Sequence, residues 1–229
     1  MFEKNNSMFS NSKYGNLLTV ILIIAIIAII GIIIFIGYSI YKKFYTEKGA
    51  EEAVAQFESI AGTNNNNVTD NSVKQDLSAI GDGADNTTGS GSTAVKTTYK
   101  GFNVVGTIQI PKINLKYPVL EKVTKKSLET SVAFLYGPGL NEVGNNVIIG
   151  HNYRNGTMFS NVKKLENGNS IYITDLTGRK VKYVIYKIYR ASGDDASYMT
   201  RNTNGKREIS LSTCTDDSKA RTIVWAREE

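Results

Sequence analysis

Two patterns of apolar and polar positions divide the chain. From Leu17 to Tyr38 the sequence reads LLTVILIIAIIAIIGIIIFIGY, apolar on every side. As a helix at about 1.5 Å per residue, these residues reach roughly 33 Å. A hydrocarbon core is about 30 Å thick, so the run is long enough to span it. A core helix of a globular domain would show a polar face, and none is present. A signal peptide would have a shorter apolar stretch ending at small residues; here the run ends at Tyr38, Tyr41, Lys42 and Lys43. The pattern predicts an uncleaved transmembrane anchor over 17–41, behind a short N-terminal stretch, 1–16.

Phe44–Ile60 has the composition of a short continuing helix. From Ala61 to Ala94 the sequence turns to TNNNNVTDNS and GDGADNTTGSGS. Such a stretch buries too little apolar surface to offset chain entropy, so 42–99 is expected to be a stalk and flexible linker. Residues 100–229 carry the period-2 alternation of strands: Gly106–Ile113, Val147–Ile149, Ser170–Thr174, Val181–Tyr189, Glu208–Thr213 and Thr222–Ala226. Turn signals separate them at Gly137-Pro138-Gly139, Asn167-Gly168 and Asn204-Gly205. Thr124–Val132 reads as a helix. Many short strands with one or two short helices predict an all-β-dominated domain closed, or nearly closed, into a barrel. The polar stretch between Tyr189 and Glu208, with isolated Tyr198 and Met199, is long enough to be a substrate-binding lip.

Charge follows the same division. Residues 1–99 hold 7 Lys/Arg and 9 Asp/Glu, net −2; residues 100–229 hold 20 and 12, net +8. The basic residues are scattered and no nucleic-acid motif is present, so no nucleic-acid partner is expected. An anionic cell wall is a natural neighbour for the basic half. There is one Cys and one His. That excludes an internal disulfide and the usual Cys/His zinc site. The acidic residues show no ligand spacing, so neither a metal nor another cofactor is expected.

Cys214 ends an alternating strand and is followed by a polar turn, Thr215-Asp216-Asp217-Ser218. His151 ends the apolar run Val147–Gly150. Arg221 lies seven residues after Cys214. If their strands pair antiparallel around the turn, the two side chains come together. As a thiolate, a state cationic neighbours favour, Cys is a nucleophile. His can pass a proton to a leaving amine and take one from an incoming amine. Arg can stabilise an oxyanion or hold a peptide backbone.

The chain resembles the sortases, cysteine transpeptidases of the Gram-positive cell surface. The resemblance is carried in order by Gly106–Leu120 (GTIQIPKINLKYPVL), Asn145–His151 (NNVIIGH), Asn152–Phe159 with Leu165, and Leu211-Ser212-Thr213-Cys214 with Arg221 downstream. It departs from the T-L-x-T-C signature at Ser210, which keeps a hydroxyl. The L-S-T-C core and Met158-Phe159 lean towards class B, but a long helical insertion before the Cys strand is missing, so the subclass stays open. No lid is recognisable before residue 100, which argues against a pilus-assembling type.

The resemblance implies an eight-stranded barrel and a catalytic set of Cys214, His151 and Arg221. Thr213, Ser212, Asn152, Tyr198 and Met199 would bind substrate, and Asp216 or Asp217 would orient His151. It implies partner proteins with a C-terminal sorting motif of the Leu-Pro-x-Thr-Gly or Asn-Pro-x-Thr-Asn kind, and an amine of a peptidoglycan precursor as acceptor. The N-terminus would be cytoplasmic and the catalytic domain external, although the Lys count flanking the anchor, two before and three after, leans slightly the other way. Two other functions fit the same residues: a cysteine endopeptidase that hydrolyses, and a non-catalytic wall-binding module.

Overall fold

A computed structural model describes residues 12–66 and 97–229. The stretch before Ser12 and the tether beyond Asn66 lie outside the described residues. The chain falls into two compact units, 1–45 and 46–229. In the first, the described residues form the start of one long helix, α1 (Ser12–Asn66). Its apolar residues between Leu18 and Phe44 are exposed, and the helix is long and apolar enough to cross a membrane.

In the second unit α1 changes character. Ala50, Val54, Phe57 and Ala61 are buried, while Glu51, Glu52, Gln56 and Ser59 stay exposed. That i, i+4, i+7, i+11 spacing puts one apolar stripe on one face. Phe57 and Ala61 pack with Tyr99, Val104, Leu120 and Ala133 of the β-domain. Glu58 pairs with Lys116 at 3.4 Å. The segment read from sequence as stalk is therefore, over 50–61, a helix docked on the barrel.

The β-domain contains β1 (Thr97–Tyr99), β2 (Phe102–Ile110), β3 (Leu115–Leu120), β4 (Val132–Tyr136), β5 (Gly144–Ile149), β6 (Ser170–Asp175), β7 (Lys180–Ser192), β8 (Arg207–Cys214) and β9 (Ala220–Glu228). The order is β2-β3-β4-β5-β8-β9-β7-β6, with β6 pairing back to β2. Eight strands thus close a barrel, and β1 flanks β2 as a hairpin. β3–β4 and β5–β8 are parallel; the other pairs are antiparallel. Ile108, Ile148, Ile173, Tyr183, Leu211 and Val224 fill the interior with Phe159. The expected helix is α2 (Lys125–Thr130), shorter at both ends because Thr124 caps its start and Ser131 is already extended at its end. Thr124 Oγ1 accepts from Ser127 N at 3.0 Å, and Ser127 Oγ accepts from Thr124 N at 2.8 Å, a reciprocal capping box.

β3 and β4 are absent from the alternation read along the sequence. Pro118 interrupts the donor pattern of β3 (LKYPVL), and Val132 follows the helix directly, so neither segment announces itself as a strand.

Candidate active site

β5, β8 and β9 lie side by side, and their register builds the site. Cys214 pairs with Arg221 across β8 and β9. Ile149 pairs with Ser212 across the parallel pair β5–β8. Two residues further along, the same register sets His151 beside Cys214. Two bonds hold that continuation: Gly150 N donates to Ser212 O at 3.2 Å, and Thr213 Oγ1 donates to Gly150 O at 2.8 Å. Ile148, Leu211 and Val224 point into the barrel. By alternation His151, Cys214 and Arg221 share the outer face, on strands about 4.8 Å apart.

Each group is held by its surroundings. His151 is half-buried; its ring lies 5.0 Å from the Tyr153 ring and its carbonyl accepts from Phe159 N at 3.1 Å. Gly150 before it has no room for a side chain: a Cβ would lie 2.8 Å from Val132 Cγ1 and 2.9 Å from Phe159 Cδ2. Cys214 is half-buried and unpaired with any other Cys. Arg221 Nε donates to Gly193 O at 3.3 Å, leaving the Nη groups for other partners.

Asn152 is turned to the Cys214 turn. Its Nδ2 donates to Cys214 O at 3.0 Å and to Asp216 Oδ1 at 2.9 Å. It ties the His151 loop to the nucleophile's turn with both bonds spent inside the protein. Asp216 also pairs with Lys163. Asp217 accepts from Thr215 Oγ1 and Lys219 N and pairs with Arg190 at 2.9 Å. The Lys163 bond, helped by Asn152, holds Asp216 below the ordinary carboxylate range. The Thr215 bond, with Lys219 and Arg190, brings Asp217 down to about 2. Both carboxylates are thus engaged with cations and the turn, and Asp216 reaches the His151 loop through its bond from Asn152.

A groove runs from this end along the outer face. Its open part lies between the 193–206 segment and β4, and beneath the segment Val147, Ala191, Tyr198 and Ile223 form a buried apolar cluster with Met199 and Trp225 packed against it. Ser212 lies in the floor, 1% exposed, with its hydroxyl unpartnered. Thr213 faces inward, where its hydroxyl donates to Gly150 O, and it also lines the cavity that touches Cys214. Tyr198 and Met199 belong to the 193–206 segment, which flanks the groove; both their carbonyls accept from Asn145 Nδ2 at 2.8 Å. A cavity of about 520 Å³ opens between that segment and β4, lined by Phe134, Tyr136, Pro138, Asn145, Met199 and Arg201. A second, about 340 Å³, touches Cys214 from the turn side, between Lys163, Arg190 and Asp216.

Sequence reasoning missed the polar network under this segment. Glu208, on the same face of β8 as Cys214, is 1% exposed and binds Arg201, Arg227 and Tyr186. Burial pushes its carboxyl up, but the bonds from Tyr186, Arg227 and Arg201 outweigh that and hold it below the ordinary range. The available signal was a Glu at the start of an otherwise apolar-alternating strand, with Arg on either side in sequence.

A family model of the sortase domain matches residues 108–229, more than half of the chain and all of the groove and its three facing residues. The chain belongs to the sortase family. Its sortase domain is 31% identical over 124 residues to sortase A of Bacillus anthracis, covering 53% of this chain and 58% of that protein. The chain thus spans a little over half the length of the curated relative it matches. A lid mutant of sortase A from Corynebacterium diphtheriae superposes with a TM-score of 0.51 at 29% identity, covering 55% of this chain and 70% of the other. Sortase C1 of Streptococcus agalactiae, at 24% identity and a TM-score of 0.50, shares the fold over 55% of this chain and 69% of its own. These relatives are named sortase A and sortase C. The closed eight-stranded barrel expected for the sortase domain is the one observed.

Proposed function

We propose that this sortase domain is a membrane-anchored cysteine transpeptidase that joins surface proteins to the cell wall. The observation that carries the reading is the placement of Cys214 between His151 and Arg221 on one face of three adjacent strands. The donor is a protein with a C-terminal sorting motif of the Leu-Pro-x-Thr-Gly or Asn-Pro-x-Thr-Asn kind, lying in the groove under Tyr198 and Met199. The Cys214 thiolate attacks the Thr carbonyl and Arg221 stabilises the oxyanion. The C–N bond breaks, His151 gives its proton to the departing amine, and a thioester remains on Cys214. An amine of a peptidoglycan precursor then attacks the thioester, His151 takes its proton, and a new amide forms as the thiolate leaves. Electrostatic stabilisation and proton transfer are each worth about 10²–10³-fold or more in such reactions.

Ser212, Tyr198 and Met199 shape the groove in this scheme. Asn152 and Thr213 fix the His151 loop against Cys214, and Asp216 acts on that loop through Asn152. Residues 1–16 are cytoplasmic, 17–41 span the membrane, 42–99 join anchor to domain, and 100–229 work outside, facing the wall. The docking of 50–61 makes that part of the connecting segment integral to the catalytic domain.

The test uses the detergent-solubilised chain, a pool of sorting-motif peptides, and products read by mass spectrometry with and without a glycine-type or diaminopimelate-type amine. An amine-dependent amide adduct is the expected product. Cleavage with no adduct, whatever amine is supplied, would make the enzyme a hydrolase instead.

A further inference from the structure

The 193–206 segment flanks the groove, and its backbone bonds are local turns, such as Met199 N to Ala196 O and Lys206 N to Thr203 O, apart from the one at its end, where Lys206 O accepts from Gly144 N at 3.0 Å. A polar segment held only so would open readily. Side chains from the floor hold it instead. Asn145 takes the Tyr198 and Met199 carbonyls, and its Oδ1 accepts from Ser210 Oγ at 2.8 Å. Arg201 descends from the segment itself. Its Nη1 pairs with Glu208 and donates to Tyr186 Oη at 3.1 Å; its Nε donates to Ser210 Oγ at 3.3 Å. The guanidinium lies 4.6 Å from the Trp225 ring centroid.

Burial distinguishes the two cations on Glu208. The Arg201 side chain is 10% exposed, whereas that of Arg227 is 44% exposed. Water competes for Arg227 but hardly for Arg201, and Arg227 lies on β9, so only the Arg201 pair joins the segment to Glu208. Glu208 and Cys214 are six residues apart on β8. At about 3.3 Å per residue that is roughly 20 Å, so Arg201 does not touch the reacting bond.

We propose that Arg201 is a positioning residue: its buried pair with Glu208 pins the 193–206 segment as a fixed wall of the peptide groove. It governs how tightly the donor peptide is held and leaves bond breaking at Cys214 unaffected. The peptide-holding part rests on the transpeptidase reading; the pinning of the segment does not.

The variants are Arg201→Met, Arg201→Lys and the double variant Arg201→Met/Glu208→Gln, in the full detergent-solubilised chain. If Arg201→Met alone fails to fold because Glu208 is left bare, the double variant, which removes both charges, carries the test. Chymotryptic nicking at Tyr198 reads the pinning without any catalysis. It rises tenfold or more in the double variant, and Arg201→Lys falls between it and wild type. On a peptide that wild type turns over, KM rises tenfold or more while kcat stays within twofold. Nicking and KM within twofold of wild type in the double variant would overturn the proposal, as would a loss of kcat at unchanged KM. If wild type turns over no peptide, the transpeptidase reading fails while the nicking rates still decide the pinning.

Discussion

Phe57 is the sharpest probe of the docked helix. It is fully buried among Ala61, Tyr99, Val104, Leu120 and Ala133. A buried aromatic side chain withdraws about 150–250 Å² from water, roughly 4–6 kcal/mol at about 25 cal/mol per Å². Phe→Ala changes in cores cost about 3–5 kcal/mol. Phe57→Ala should therefore weaken docking by about 4 kcal/mol. Residues 46–61 are the solvent-side end of α1, which frays once undocked, so its amides exchange when it leaves the barrel. At about 1.4 kcal/mol per decade, protection of amides 46–61 should fall by on the order of 10³. Hydrogen exchange of the detergent-solubilised chain, read by mass spectrometry, measures this directly. Gln56→Ala, one residue away on the exposed face, is the control and should change little. Equal protection over 46–61 in wild type and Phe57→Ala would refute the docking.

Two further outcomes follow from single contacts. Gly150→Ala places a methyl 2.8 Å from Val132 Cγ1 and 2.9 Å from Phe159 Cδ2; overpacking of this kind costs about 1–3 kcal/mol. Because His151 is next in the chain, kcat/KM should fall by far more than the stability loss explains, and unchanged kcat/KM would contradict the register argument. Asp175 is pushed up by burial but pulled further down by bonds from Thr177, Asn141 and Arg179, so its carboxyl sits below the ordinary value. A depressed folded pKa gives stability that is complete above the unfolded value, about 3.9, and is lost as pH falls through the folded value. Urea midpoints should drop below pH 4, and Asp175→Asn should flatten that drop; an equal drop in both proteins would assign the acid sensitivity elsewhere.

The parts of the fold legible in the sequence were those governed by local alternation. β8 and β9 announce themselves by period-2 patterning around a polar turn, and that spacing alone brought Cys214 opposite Arg221. The place of His151 beside Cys214 is not local. It depends on the parallel pairing of β5 with β8, separated by β6, β7 and the 193–206 segment, which only closure of the barrel fixes. β3 was hidden by Pro118 and β4 by its closeness to α2. Phe44–Ile60 was legible as a continuing helix, but Ala61 read as the start of the tether, and the surface on which Phe57 and Ala61 pack is assembled from β1, β2, β3 and β4, so the docking could not be read along the chain. Glu208 looked like an ordinary polar position of a strand. Its role depends on Arg201 and Arg227 arriving from two other parts of the fold.

In the proposed reaction Cys214 carries the acyl group. Intact-protein mass spectrometry of the chain, incubated with a turned-over sorting-motif peptide and no amine, tests it most directly. The expected result is a mass gain equal to the acyl half of the peptide, located at Cys214, released by hydroxylamine and absent in Cys214→Ala. Turnover of the peptide by Cys214→Ala, or an acyl adduct on any other residue, would contradict it.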